Sequence, residues 1–177
     1  TRPFDLRGLL MNFTIRDAAP GDVAVILRFI TELAEYEKAV HEVEATEETL
    51  TTSLFGPEAV TGAVILEADG RPAGFAIWFY SYSTWQARKG LYLEDLYVSP
   101  EFRGAGGGKA LLRHLAGIAV ARGCGRFEWS VLDWNEPAIK VYDAIGAKPQ
   151  TEWIRYRLAG DDLNAFASSA GPAIEVI

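Results

Sequence analysis

A mixed α/β (α+β) domain is the fold class this chain predicts, from three observations. Val23, Ile26, Leu27, Ile30, Leu33 and Ala34 recur at the 3.6-residue period of one helix face. Two apolar runs, Thr61–Ala68 and Pro72–Tyr82, flank Asp69-Gly70, a strong hairpin signal. A β-rich run, Leu91–Val98, then passes through a glycine-rich turn into a helix with Leu111, Leu115, Ile118 and Ala119 on one face. Helices interleaved with strands in this way make a mixed α/β domain.

In order, Asn12–Arg16 reads as a first strand, and Pro20 opens a helix that runs to Tyr36 or Glu37. A second helix starts at Thr46-Glu-Glu-Thr-Leu, capped by Thr46 or Ala45, and ends at Gly56-Pro57. The hairpin follows, then a polar loop from Ser83 to Gly90 carrying Trp85. Ser99-Pro100 end the central strand, and the next helix becomes periodic from Lys109 and closes at Gly123. Arg126–Leu132 is a further strand. Asp133-Trp-Asn-Glu-Pro137 opens a short helix with Ile139, Val141, Tyr142 and Ile145, Trp153–Leu158 a last strand, and Asp161–Ala167 one or two helical turns.

At 177 residues the chain is most simply one domain, here 12–167, with 1–11 an N-terminal extension or tag remnant and 168–177 a loose tail. A net charge of −7 disfavours nucleic acid and suits a cationic small molecule, although solubility alone explains it as well. Cys124 is the single cysteine, so no internal disulfide forms, and His41 and His114 lie outside any metal-ligand spacing. No apolar run reaches membrane-span length and no signal peptide is visible, so a cytoplasmic protein without metal is expected.

Arg103-Gly-Ala-Gly-Gly-Gly108 invites an anion, because the first N–H groups of a helix are unpaired and carry partial positive charge. A P-loop would need glycine where Arg103 stands and Ser or Thr where Ala110 stands; a dinucleotide fingerprint would need glycine at Lys109. Upstream, the apolar phase slips: Leu91 and Leu93 are odd-numbered, Leu96 and Val98 even. A β-bulge at Glu94-Asp95 leaves such a mark; burial of Tyr92 and Tyr97 as well, with no phase at all, is the competing reading.

The glycine turn, preceded by Leu93-Glu-Asp-Leu-Tyr-Val-Ser-Pro100, resembles the acetyl-CoA-binding segment of the GCN5-related N-acetyltransferases (GNAT). Ile15-Arg16, Ile26-Leu-Arg28, Glu32-Leu-Ala-Glu-Tyr-Glu37, Gly74-Phe-Ala76, Tyr92-Leu-Glu-Asp95 and Trp134-Asn-Glu-Pro137 followed by Tyr142 are similar to the diamine (spermidine/spermine) or thialysine branch. The resemblance implies a mostly antiparallel sheet splayed at a bulge, a pantetheine arm paired with backbone of Leu96 and Val98, and a homodimer. It implies that Arg103 and the backbone of Gly104, Gly106 and Gly108, helped by Lys109, hold the pyrophosphate. Gly107 stands where the family carries bulkier residues, which predicts a mobile turn.

Acetyl transfer to an amine needs a neutral amine, a donor to the oxyanion and a proton for the leaving thiolate. The resemblance makes Tyr142 that acid; on residues alone it reads as a core tyrosine, three positions from Ile139. Asn135 is an N-cap that could also touch the cofactor or orient Tyr142. Glu94, at the inferred bulge, takes the ammonium proton, while Asp95 is either solvated or holds a distal substrate charge. Tyr36 and Glu37 match substrate-side positions, and Trp85 and Trp134 are either packing or a wall for an aliphatic amine. Cys124 has no acid–base partner nearby, so direct transfer in a ternary complex is expected. The competing functions are protein or peptide N-acetylation and a non-catalytic acyl-CoA sensor.

Overall fold

The computed structural model describes residues 11–169; the expected extension lies outside them except for Met11, and the expected tail except for Ser168 and Ser169. Contacts divide the chain into two compact units with their boundary between Asn135 and Glu136.

The first unit is a five-stranded sheet in sequential order: β1 (Phe13–Asp17), β2 (Thr61–Ala68), β3 (Arg71–Ser83), β4 (Arg88–Val98) and β5 (Phe127–Trp129). The first four are antiparallel neighbours, and β5 joins β4 in parallel. Helices α1 (Val23–Tyr36), α2 (Glu47–Phe55) and α3 (Gly107–Ala121) complete the unit. No helix among the described residues is long and apolar enough to cross a membrane.

Local chemistry accounts for most boundaries. Thr46 caps α2, its hydroxyl accepting from the Thr49 amide at 3.2 Å while Thr49 Oγ1 accepts from the Thr46 amide at 2.9 Å. Asp69 and Gly70 both adopt positive φ, 49° and 75°, as a type I′ hairpin turn demands. Gly123 closes α3 at φ 68°, with the Cys124 amide returning to the Ala119 carbonyl at 2.9 Å. Arg16 joins Asp22 at 2.7 Å and Glu67 at 2.8 Å, tying β1 to the start of α1 and to β2.

The core on the α1–α2 side centres on Ile26, Phe29, Ile65, Phe75 and Tyr97, with the Phe29 ring 5.8 Å from Phe75 and 6.0 Å from Tyr97. Gly74 lets β3 and β4 meet above it: an added Cβ would stand 2.3 Å from the Tyr97 carbonyl oxygen.

Three expectations change. The polar loop from Ser83 to Gly90 shrinks to the turn Thr84–Ala87, because Ala87 takes the left-handed conformation at φ 49° and both strands extend to meet it. The strand expected over Arg126–Leu132 is three residues long, because its ladder with β4 ends at the Leu93–Trp129 pair. The strand expected over Trp153–Leu158 is absent: the segment has no regular secondary structure, no described strand pairs with it, and Trp153, Ile154 and Tyr156 are exposed. Apolar content supplied the propensity there, but a strand needs a ladder partner.

The second unit holds α4 (Glu136–Ala144) and α5 (Gly160–Ser168), with Gly146 at φ 86° just beyond α4.

Gly74→Ala should destabilise the chain by about 3 kcal/mol or more, since the new methyl meets rigid backbone rather than a movable side chain. Urea unfolding followed by tryptophan fluorescence measures it; a midpoint equal to wild type would contradict the packing.

Candidate active site

The chemistry starts from one extra residue in β4. Ile77 pairs with Asp95 and Trp78 with Leu93, so Glu94 has no partner on β3: it is a β-bulge at the expected place. Before it, the Leu91 amide donates to the Arg126 carbonyl at 3.0 Å, so odd-numbered backbone groups face β5. After it, the Ser99 amide donates to the Ala73 carbonyl at 2.9 Å, so odd-numbered groups face β3 and the even-numbered Leu96 and Val98 face the other edge. The β5 ladder has already ended at Leu93, so β4 has no strand neighbour on that edge from Glu94 to Val98 among the described residues. Side chains change phase too: Leu96 and Val98 face Gly108 of α3, while Tyr97 is buried against Phe29 of α1. The competing reading therefore also holds part of the truth, because both faces of β4 are covered beyond the bulge.

The glycine turn sits at the end of this edge. Pro100–Phe102 forms a single 3-10 turn; Gly104 and Gly106 take φ of 80° and 94°; α3 begins at Gly107. Its first hydrogen bond runs from the Ala110 amide to the Gly106 carbonyl at 2.9 Å. The amides of Gly107, Gly108 and Lys109 precede that bond and form the donor end of the helix. Gly107 packs against the sheet. It is buried, and a Cβ there would lie 2.8 Å from Leu66 Cδ2, so its missing side chain lets α3 approach the sheet closely. Gly108 has an ordinary φ and room for a methyl, its nearest neighbours being Leu96 and Val98 side chains at 3.8 and 4.0 Å.

Arg103 lies at the same edge. Its Nε donates to the Val98 carbonyl at 2.7 Å, and its guanidinium lies 5.2 Å from the centres of both the Tyr36 and Tyr97 rings. The Tyr36 hydroxyl donates to Asn135 Oδ1 at 3.2 Å, its ring is 5.8 Å from Trp134, and the Lys38 ammonium lies 6.0 Å from the Trp134 ring. One constellation thus joins Tyr36, Arg103, Trp134 and Asn135.

Carboxylates form a second group. Asp95 is half-buried, not solvated; burial, then the charges of Glu94 and Glu37, push its carboxyl up to about 6. Burial also raises Glu37. Glu94 itself is exposed at the bulge. A cation placed beside Asp95 and Glu37 would favour their charged forms.

Sequence reasoning missed two members. Glu32 accepts from Ser99 Oγ at 3.0 Å and pairs with Arg28 at 3.7 Å. Burial, then the neighbouring Glu32 carboxylate, raises the Tyr97 phenol, and the Arg103 charge opposes that shift. Glu32 sits one turn before Tyr36 on α1, a spacing that could have flagged it. An open cleft of about 680 Å³ is lined by these groups, with Glu35 and Glu101. Trp85 stands elsewhere: it is 89% exposed in the β3–β4 turn, about 20 Å along the hairpin from the bulge. Lys109 is exposed in the first turn of α3, and Tyr142 is half-buried on α4 of the second unit. No group of three His, Cys, Asp or Glu among the described residues could hold a metal ion.

The bulged strand, the glycine turn and the helix that follows define an acyl-transferase scaffold, and comparison with known proteins agrees. The model of the acetyltransferase (GNAT) family matches residues 27–147, and the chain belongs to that family. It is 40% identical to the thialysine N-epsilon-acetyltransferase of Sus scrofa over 169 residues, covering 89% of this chain and 99% of the relative. It is 32% identical to the L-ornithine N5-acetyltransferase of Arabidopsis thaliana, covering 90% of each chain. An integron cassette protein from V. cholerae superposes with a TM-score of 0.75 at 28% identity, covering 90% of this chain and all of that one. The protein is an acetyltransferase.

Two measurements test this geometry. Asp95 is raised from 3.8 when unfolded to about 6 when folded. The folded state therefore binds more protons between those values, and stability falls as pH rises through that window, by about 2–3 kcal/mol in all. Asp95→Asn should melt higher than wild type at pH 8, with the gap closing near pH 4. Gly108→Ala should fold with wild-type stability yet lose coenzyme A affinity at least tenfold if a ligand approaches that backbone; isothermal titration calorimetry reads the affinity.

Proposed function

We propose that the chain transfers an acetyl group from acetyl-CoA to a primary amine of a small cationic substrate: a diamine, a polyamine or, best supported, a lysine-like amine. The observation that carries this is the bulge at Glu94, which frees a backbone edge beside the glycine turn and gathers Glu94, Asp95 and Glu37 at the same break. The relatives named for thialysine and L-ornithine support the lysine-like choice.

The residues fit the donor. Backbone of Leu96 and Val98 faces the unpaired edge and would hold the pantetheine amides; the amides of Gly107, Gly108 and Lys109, with Gly104 and Gly106 shaping the turn, would hold the pyrophosphate with Arg103. Val98 requires an adjustment, since Arg103 occupies its carbonyl. Bound there, acetyl-CoA supplies a thioester carbonyl as electrophile.

The remaining steps fall to the protein. A lysine-type amine carries a proton at neutral pH, with pKa near ~10.4. Glu94, exposed at the bulge, accepts that proton directly or through a water. Asp95 and Glu37 favour the cation's arrival, since each is more easily ionised with a positive charge beside it. Tyr142 holds the proton for the departing sulfur, and Asn135 orients the segment that carries it. Trp134 and Tyr36 wall the aliphatic chain. Transfer is direct, in a ternary complex, and the working form is a homodimer.

A turnover screen over spermidine, putrescine, thialysine, lysine, ornithine and a peptide amine tests the proposal. Diamino acids should turn over with the highest kcat/KM, and activity on the peptide alone would sink the small-cation reading. Tyr142→Phe should lower kcat by about 10²-fold with little change in either KM; unchanged turnover would remove Tyr142 from the mechanism. Asp95→Asn should raise the KM for the amine while sparing that for acetyl-CoA.

A further inference from the structure

The Glu32 carboxylate has no part in the chemistry above, yet it is the meeting point of three partners. Ser99 Oγ donates to it at 3.0 Å, Arg28 pairs with it at 3.7 Å one turn earlier on α1, and the Tyr97 phenol lies near enough to feel its charge. Ser99 and Tyr97 flank Val98 in sequence, and Val98 presents its backbone to the unpaired edge. Tyr97 in turn forms one wall of the aromatic sandwich around Arg103, its ring centre 5.2 Å from the guanidinium. Arg103 closes the loop on the Val98 carbonyl at 2.7 Å. A chain of direct contacts therefore runs from α1, through Glu32, to both neighbours of Val98 and to the arginine that leads the glycine turn.

Physical need supports such a brace. A strand is normally held by ladders on both sides, but beyond Glu94 β4 keeps only the β3 ladder. The free side must hold its carbonyls and amides in fixed directions to pair with anything. Tyr97 is 5% exposed and its ring lies 6.0 Å from Phe29, so the ring is rigidly set, with its phenol towards the Glu32 charge. Buried hydrogen bonds to a charged group are among the stronger local restraints.

We infer that Glu32 is a positioning residue for the acyl donor: by holding Tyr97 and Ser99 from α1, it sets the Val98 backbone and Arg103 in the geometry that receives the donor's pantetheine and phosphates. This inference rests on the reading of the β4 edge and glycine turn as the donor site. Glu32 touches neither donor nor amine in this scheme; it acts through Tyr97, Ser99 and Arg103.

Calorimetric titration of coenzyme A into the full chain, with steady-state kinetics on acetyl-CoA and a lysine-like amine, tests it. Glu32→Ala should weaken coenzyme A binding about tenfold and raise the KM for acetyl-CoA in step, while kcat and the amine KM stay within twofold. Glu32→Gln keeps the volume and one acceptor oxygen, so it should recover part of the affinity and fall between wild type and alanine. A Glu32→Ala chain that binds coenzyme A as wild type does, or whose amine KM rises as much as that for acetyl-CoA, overturns the inference. Should the alanine variant fail to fold, Glu32→Gln is judged by the same two criteria against a threefold loss. The Gly108→Ala chain separates the two levels. If it binds coenzyme A at wild-type affinity, the donor-site reading falls and the inference with it. If it loses binding while the Glu32 variants keep theirs, the role of Glu32 alone is wrong.

Discussion

One inserted residue governs the arrangement. Glu94 exchanges the roles of odd and even positions along β4, for both side chains and backbone. Without it Leu96 and Val98 would turn their backbone towards β3 and their side chains away from Gly108 of α3. The bulge also coincides with the end of the β5 ladder at Leu93. Three features of the strand follow from that offset: a free backbone edge, an exposed acid at the break, and a path towards the glycine turn.

The energetic cost of the offset is carried by the surrounding packing. Phe29 and Phe75 fix Tyr97 on one side, and Gly107 lets α3 sit close against Leu66 on the other. Glycines that look alike in sequence therefore have different duties. Gly104 and Gly106 supply positive φ, Gly107 supplies closeness, and Gly108 has no structural demand for a missing side chain. That last glycine is the one whose bareness is best explained by something outside the chain.

Much of this was legible in the residues. The alternation in Leu91–Val98 breaks where the register breaks, because one buried face must continue across the bulge. The Asp69-Gly70 turn and the Thr46 cap follow from local geometry alone. What escaped depends on partners distant in sequence. Arg103 reads as a phosphate ligand, but its position between Tyr36 and Tyr97 requires α1 to lie beside β4. Glu32 acquires a role only once the fold places Ser99 against it. The run Trp153–Leu158 has strand composition without a ladder partner, and Trp85 is carried away from the bulge by a hairpin longer than the polar composition of its loop suggested.

The single-sided stretch of β4 has a consequence for the protein's behaviour in solution. A strand with an unpaired edge is a template on which another molecule's strand can grow, and sheet proteins guard such edges with twists and charges. Here the guards are Glu94, whose insertion twists the strand and leaves a carboxylate in water, and Arg103, whose guanidinium covers the Val98 carbonyl. The bulge that frees this edge from β5 and the arginine that covers its last carbonyl thus together keep a second polypeptide from adding to the sheet there.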